Sequence, residues 1–292
     1  MAINWEIFKK RALTALVFVA VMLAGLLWNP WSFFILFTII HFGCWWEFLR
    51  LLEKIHQTVF HPYTKLGYMM AGYGLMLLLA GPDFQVGGYI LRDNISLPVS
   101  AAGFALLIIG LFQKNAVSIK PMSAALLGIP YISLSWGLML TFIDPAFKSH
   151  FPGKIYESSV PWIPIVVICA IWINDTMAYV VGSLIGKTPL SKISPKKTWE
   201  GTLGGILLSV LVTGLLSTLV FKLEHRYYLY AIPLVAAATG TLGDLLESKL
   251  KRMAGVKDSG AIMPGHGGFL DRFDSLLLAT FFVWLFVTLV IS

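Results

Sequence analysis

Asp271 and Asp274 stand three residues apart in GHGGFLDRFDSLLLATFFVWLFVTLVI, where an apolar run begins, and Asp244 and Glu247 stand three apart in GTLGDLLESKLKR, where another ends. Side chains at i and i+3 share a helix face, so each pair projects together. Asp175 lies in the middle of a third apolar run, AIWINDTMAYVVG. An ionisable group in such a segment costs roughly 2.5–3.5 kcal/mol to insert and marks a functional position. Carboxylates that converge in a partly dry site repel one another and take up protons unless a cation joins them. Hard oxygen donors suit Mg²⁺, which takes one or two carboxylates and keeps waters or phosphates as its other ligands. The competing reading is salt bridging, of Asp271 or Asp274 with Arg272 or a loop lysine, and of Glu247 at the water interface.

The neighbouring residues suit phosphate. In PGHGG, Gly265, Gly267 and Gly268 permit close backbone approach, and the helix they introduce exposes unpaired N–H groups at its positive end. Lys251, Arg252, Lys257 and His266 add cationic donors beside the acids. A second cationic stretch, GKTPLSKISPKKTWEGTLGG, offers Lys192, Lys196 and Lys197 to a polyphosphate tail or an anionic headgroup. Its SPKKTWEG portion reads as a capped helical turn with Ser194 as N-cap and Pro195 at the first helical position. Acids for metal beside bases for phosphate describe a magnesium-dependent reaction of phosphates. Paired metals can clamp the attacking and leaving oxygens of an in-line displacement, and whether one ion or two is used stays open.

The elements that must hold these residues are membrane helices. Of 292 residues 57% are hydrophobic and only 13% charged, with a mean hydropathy of +0.78, against about 25% charged in soluble domains. Nine apolar segments stand out, near 12–28, 31–46, 66–81, 97–112, 123–143, 161–186, 203–221, 228–247 and 269–291. None alternates apolar with polar residues, which excludes a β-barrel and predicts an all-α polytopic protein of about nine transmembrane helices. The first segment, though preceded by basic residues, has no clear small-x-small cleavage site and reads as a retained span. Cys44 and Cys169 lie in apolar runs and read as small hydrophobes. The net charge of +7 reflects loop lysines, with no soluble basic domain for nucleic acid. With nine spans, Arg92, Lys148, Lys154, Lys222 and Arg226 fall on one side, Arg272 falls within the last span, and all the remaining Lys and Arg fall on the other side. That bias predicts a cytoplasmic N-terminus and puts loops 187–202 and 248–268 in the cytoplasm. The segment EFLRLLEKIH reads as an amphipathic extension of the second span. Residues 1–160 form the expected scaffold of five spans, and residues 161–292 the catalytic four.

Residues 248–274, SKLKRMAGVKDSGAIMPGHGGFLDRFD, resemble the signature of the phosphatidate cytidylyltransferase (CDP-diacylglycerol synthase) family: S-x-x-K-R, four residues, K-D, then H-G-G-x-x-D-R-x-D after a spacer. Ser248, Lys251, Arg252, Lys257, Asp258, His266, Gly267, Gly268, Asp271, Arg272 and Asp274 fill it. SPKKTWEG and GDLLES look like further family features. The resemblance implies a nucleotidyltransferase of phospholipid biosynthesis that makes CDP-diacylglycerol and pyrophosphate from CTP and phosphatidic acid. It implies Mg²⁺ held by Asp244, Asp271 and Asp274, with K⁺ as an open alternative for a second ion. Lys251 and Arg252 would join these acids as catalytic groups. Ser248, Lys257, His266, Gly267, Gly268 and Arg272 would bind substrate phosphates, with Lys192, Lys196 and Lys197 from the other loop and Asp175 at metal or nucleotide. A homodimer is also implied, and the compact chain suggests a bacterial inner membrane.

Two rivals are a CTP-using lipid-alcohol kinase, which would release CDP, and a cation-coupled transporter, for which acids would spread over both halves of the chain. The loop assignment is tested by reporter insertion. Alkaline phosphatase inserted in 187–202 or 248–268 is expected to be inactive, and active when inserted in 144–160.

Overall fold

A polypeptide in hydrocarbon must satisfy its backbone N–H and C=O groups internally, and helices do so within one segment. The computed structural model describes residues 5–113, 118–149, 151, 160–220, 227–262 and 267–291. Its helices are α1 (Trp5–Leu27), α2 (Pro30–His56), α3 (Pro62–Leu78), α4 (Ser96–Leu111), α5 (Ile119–Leu126), α6 (Ser135–Thr141), α7 (Pro145–Lys148), α8 (Trp162–Ile185), α9 (Trp199–Val220), α10 (Tyr228–Met253) and α11 (Leu270–Phe286). Wider turns at Leu91–Ile95, Ile129–Leu134 and Val287–Ile291 extend α4, join α5 to α6 and finish α11. Among the described residues seven helical stretches are long and apolar enough to cross a membrane. The apolar stretches at 12–28 and 66–81 lie on α1, whose apolar part is Leu13–Leu27, and on the 17-residue α3. This is a polytopic helical membrane protein. Among the described residues it also carries a small hairpin of β1 (Gln85–Val86) and β2 (Tyr89–Ile90), turned at Gly87 and Gly88 with φ of 58° and 85°. Two successive positive φ values are what a two-residue hairpin turn requires.

The chain forms two compact units, Met1–Leu140 with Leu250–Phe273, and Thr141–Lys249 with Asp274–Ser292. In the first, α2 starts sharply because Asn29 and Ser32 cap each other, through Ser32 N–H to Asn29 Oδ1 at 2.8 Å and Asn29 N–H to Ser32 Oγ at 3.0 Å, with Pro30 at the first helical position. Its core is aromatic: Phe33, Phe37, Trp45, Tyr68 and Trp136 are all buried. Ser133 Oγ serves two of its buried side chains, Trp45 Nε1 donating to it at 2.8 Å and His41 Nε2 meeting it at 3.0 Å. Cys44 is buried in this core and unbridged.

In the second unit α9 shows how a lipid solvent sorts residues. Leu203, Leu207, Leu211, Leu215 and Leu219 recur every four positions and are exposed, a stripe that would be an aggregation surface in water. The other face repeats Gly201, Gly205, Ser209, Thr213 and Ser217, all buried. Small residues let two membrane helices approach to backbone contact. A Cβ at Gly205 would lie 2.8 Å from Ala178 Cβ and from the Asn174 carbonyl of α8. Ser209 Oγ donates to the Ala170 carbonyl at 2.6 Å. Gly205→Val should therefore force α8 from α9 and cost about 1–3 kcal/mol, read as a lowered unfolding temperature in detergent.

Candidate active site

In the second unit α8, α9, α10 and the segment 186–198 enclose a cavity of about 330 Å³ lined by Asn174, Asp175, Ser194, Lys196, Lys197, Thr198, Thr202, Thr241 and Asp244, among others. The segment is pre-shaped. Pro189 pairs with Thr198 as an isolated bridge, Leu190 N–H donates to the Lys197 carbonyl at 2.8 Å, and Lys197 N–H closes a turn onto the Ser194 carbonyl at 3.0 Å. Glu200 fastens its other end, accepting from Thr188 Oγ1 at 2.8 Å and from the amides of Lys187 and Thr188 at 3.1–3.2 Å. The expected helical turn capped by Ser194 does not form. Ser194 and Pro195 belong to the non-helical turn, and α9 begins at Trp199 with Thr198 Oγ1 accepting from Gly201 N–H at 3.1 Å. This geometry aims Lys197 at Asp244, with which it forms an ion pair. Ser248 Oγ donates to the other oxygen of Asp244 at 3.2 Å.

One oxygen each from Asp244, Glu247 and Asp274 lies within 4.8 Å of the others, with Glu247 and Asp274 buried. Gly243 explains the approach of α10 to α11. A Cβ there would sit 2.6 Å from the Asp274 carbonyl, so only glycine admits the contact. Three carboxylates so close form an oxygen donor set that fits a hard divalent cation.

The first unit holds a separate carboxylate network. Glu47, from the middle of α2 and 4% exposed, accepts from the amides of Phe269 at 3.0 Å and Leu270 at 2.8 Å and from Ser259 Oγ at 2.8 Å. Asp271 accepts from Lys251 Nζ at 2.7 Å on one oxygen, and on the other from the amides of Ser259 and Gly268, both at 2.8 Å, with Ser259 Oγ 2.9 Å away. Ser259 has one hydroxyl proton, so it donates to Glu47 or to Asp271 at a given moment. Gly267 takes φ of 84°, which lets the chain fold back over Asp271.

The chain matches the Cytidylyltransferase family over residues 9–290. It belongs to that family. It is 30% identical over 270 residues to a phosphatidate cytidylyltransferase of Staphylococcus saprophyticus, covering 92% of this chain and 95% of the relative. It is 36% identical over 198 residues to one of Staphylococcus epidermidis, covering 63% of this chain and 76% of the relative. It is 32% identical over 206 residues to the chloroplastic phosphatidate cytidylyltransferase 4 of Arabidopsis thaliana, covering 66% of this chain and 53% of the relative.

Of the residues that the sequence singles out in this cytidylyltransferase, the second unit gathers Asp175, Lys196, Lys197 and Asp244 at its cavity, and Asp244, with Ser248 beside it, to Asp274. The gathered trio differs from the expected Asp244, Asp271 and Asp274. Glu247 stands in it, while both oxygens of Asp271 are engaged by Lys251, Ser259 and Gly268 in the first unit. Among the described residues at the helix start, the amides of Gly268, Phe269 and Leu270 are taken by Asp271 and Glu47. Lys192, Arg252, Lys257 and Arg272 are exposed. His266 and Gly265 lie outside the described residues. Sequence reasoning missed Glu47 as part of this network, since EFLRLLEKIH reads as an interfacial extension. The available signal was an acid in the middle of a run as apolar as CWWEFL.

Glu200→Ala removes the acceptor that ties down Lys187 and Thr188. Amide exchange at Thr188 is expected to quicken by about tenfold, the scale of one hydrogen bond to a charged group, as read by hydrogen-exchange mass spectrometry.

Proposed function

We propose that this protein is a phosphatidate cytidylyltransferase that converts CTP and phosphatidic acid to CDP-diacylglycerol and pyrophosphate with Mg²⁺. The observation that carries the reading is the meeting of a lysine-lined cavity, bordered by α8, α9 and α10, with three carboxylates on α10 and α11, in a chain that a relative of that name matches over nearly its full length. An oxygen of the lipid phosphate attacks the α-phosphorus of CTP. The bond from that phosphorus to the α,β-bridging oxygen breaks, and its electron pair leaves on pyrophosphate. The lipid phosphate is already an anion at neutral pH, so no strong general base is needed, and catalysis rests on alignment and charge neutralisation.

Asp244, Glu247 and Asp274 would hold Mg²⁺, which when bound supplies positive charge for the developing charge on the phosphates. Lys196 and Lys197 bind the triphosphate from segment 186–198, and Asp175 assists at nucleotide or metal. Ser248 orients Asp244, and Lys251 with Asp271 orders the turn before α11. Lys192, Arg252 and Lys257, exposed on the loops and at the end of α10, attract the anionic substrates, and Arg272 is assigned to them by the resemblance. The lysine bias of the loops supports a site open to the cytoplasm of a bacterial inner membrane. Phosphatidic acid then keeps its acyl chains in the bilayer while its phosphate reaches the acids. The resemblance extends the proposal to a homodimer.

Purified protein given CTP, phosphatidic acid and Mg²⁺ should release pyrophosphate, and release of CDP instead would identify a kinase. Chelation should abolish turnover and added Mg²⁺ restore it. Asp244→Asn and Asp274→Asn are expected to lower kcat by about 10²–10³-fold, the scale of removing one electrostatic stabiliser of the transition state. Retention of most activity by both variants would overturn the metal assignment.

A further inference from the structure

We propose that Glu47 of α2 is a positioning residue for the carboxylates that α11 carries, an inference that rests on the metal-dependent reading above. A buried carboxylate persists only with donors around it, and Glu47 has three: the amides of Phe269 and Leu270 and the hydroxyl of Ser259, at 2.8–3.0 Å. The space is built to its shape. A Cβ at Gly260 or at Gly268 would collide with the Glu47 carboxylate, so glycine at both positions leaves room for it. The amides of Phe269 and Leu270 are the unpaired donors of a helix start, and a fixed anion on them holds α11 in one register.

That choice matters because α11 carries Asp271 in its first turn and Asp274 one turn on. A slip of α11 by one residue against Glu47 would rotate each side chain about 100° around the axis and move it about 1.5 Å along it. Coordination of a small cation tolerates neither displacement. Glu47 touches no reacting atom. It acts through the backbone of α11 and through Ser259, which also reaches Asp271. In this way a residue of the second helix governs acids more than 200 positions away in sequence.

The test compares wild type with Glu47→Gln, Glu47→Ala and Ser259→Ala in purified, folded protein, with Glu53→Gln as control. Glu53 lies on the same helix but pairs with Lys65 and the Phe60 amide. The glutamine keeps the shape of Glu47 but turns one acceptor into an N–H donor facing an amide N–H. The first reading is Mg²⁺ binding by calorimetry without substrate, and the second is amide exchange across residues 267–274. The third is the Mg²⁺ concentration giving half-maximal pyrophosphate release. Both Glu47 variants should weaken Mg²⁺ binding and raise the half-saturating concentration by about tenfold or more, as expected for losing a hydrogen bond to a charged group. Exchange should quicken at 267–274, Ser259→Ala should shift the same readings less, and Glu53→Gln should leave all of them unchanged. Wild-type Mg²⁺ affinity in folded Glu47→Gln overturns the proposal. If the Glu47 variants do not fold, unchanged affinity and exchange in Ser259→Ala overturn it. Failure of wild type to release pyrophosphate would sink the functional reading instead, and calorimetry and exchange would still judge Glu47.

Discussion

A carboxylate taken out of water must find donors or a cation, and this constraint organises the parts of the chain that bear on chemistry. Among the described residues three acids meet it with donors of the protein's own. Glu47 takes two backbone amides and a hydroxyl, Asp271 takes two amides and Lys251, and Asp244 takes Lys197 and Ser248. Asp244, Glu247 and Asp274 also stand close enough to share one positive centre. Uncompensated acids at such positions would take up protons, so their grouping says where positive charge belongs.

Glycine makes these arrangements geometrically possible. At Gly243 its missing side chain lets α10 touch the backbone of α11, and at Gly260 and Gly268 it leaves a hollow for the Glu47 carboxylate. On α9 the same property, spread over Gly201 and Gly205, brings α8 and α9 together and so shapes the cavity that holds Asp175 and Lys197. In lipid, where burying apolar surface gives helices little reason to associate, such close contacts with their hydrogen bonds supply the cohesion.

The two carboxylate systems divide the labour suggested for a cytidylyltransferase. In the second unit, acids and lysines border space large enough for part of a substrate. In the first, acids are joined to the amides of Gly268, Phe269 and Leu270 at the helix start. Gly267 and Gly268 thus serve architecture first: the described amides at the start of α11 meet the protein's own anions.

Much was legible in the chain alone. Apolar run length fixed the helical class, because hydrocarbon admits few backbone solutions. The spacing of Asp244 with Glu247 and of Asp271 with Asp274 set which acids share a face, because the helix repeat is rigid. The fixed spacing over residues 248–274 pointed to the family. Tertiary structure alone decided which acids meet. The i+3 rule ties Asp271 to Asp274 equally well whether Asp271 faces a metal or Lys251, and only the packing of α10 at Gly243 drew Glu247 into the cluster. An acid inside CWWEFL marked Glu47, but its partners, Ser259, Phe269 and Leu270, were beyond sequence reasoning because they lie more than 200 residues away. Local periodicity carries no information about contacts at that separation, which arise only when the folded helices pack.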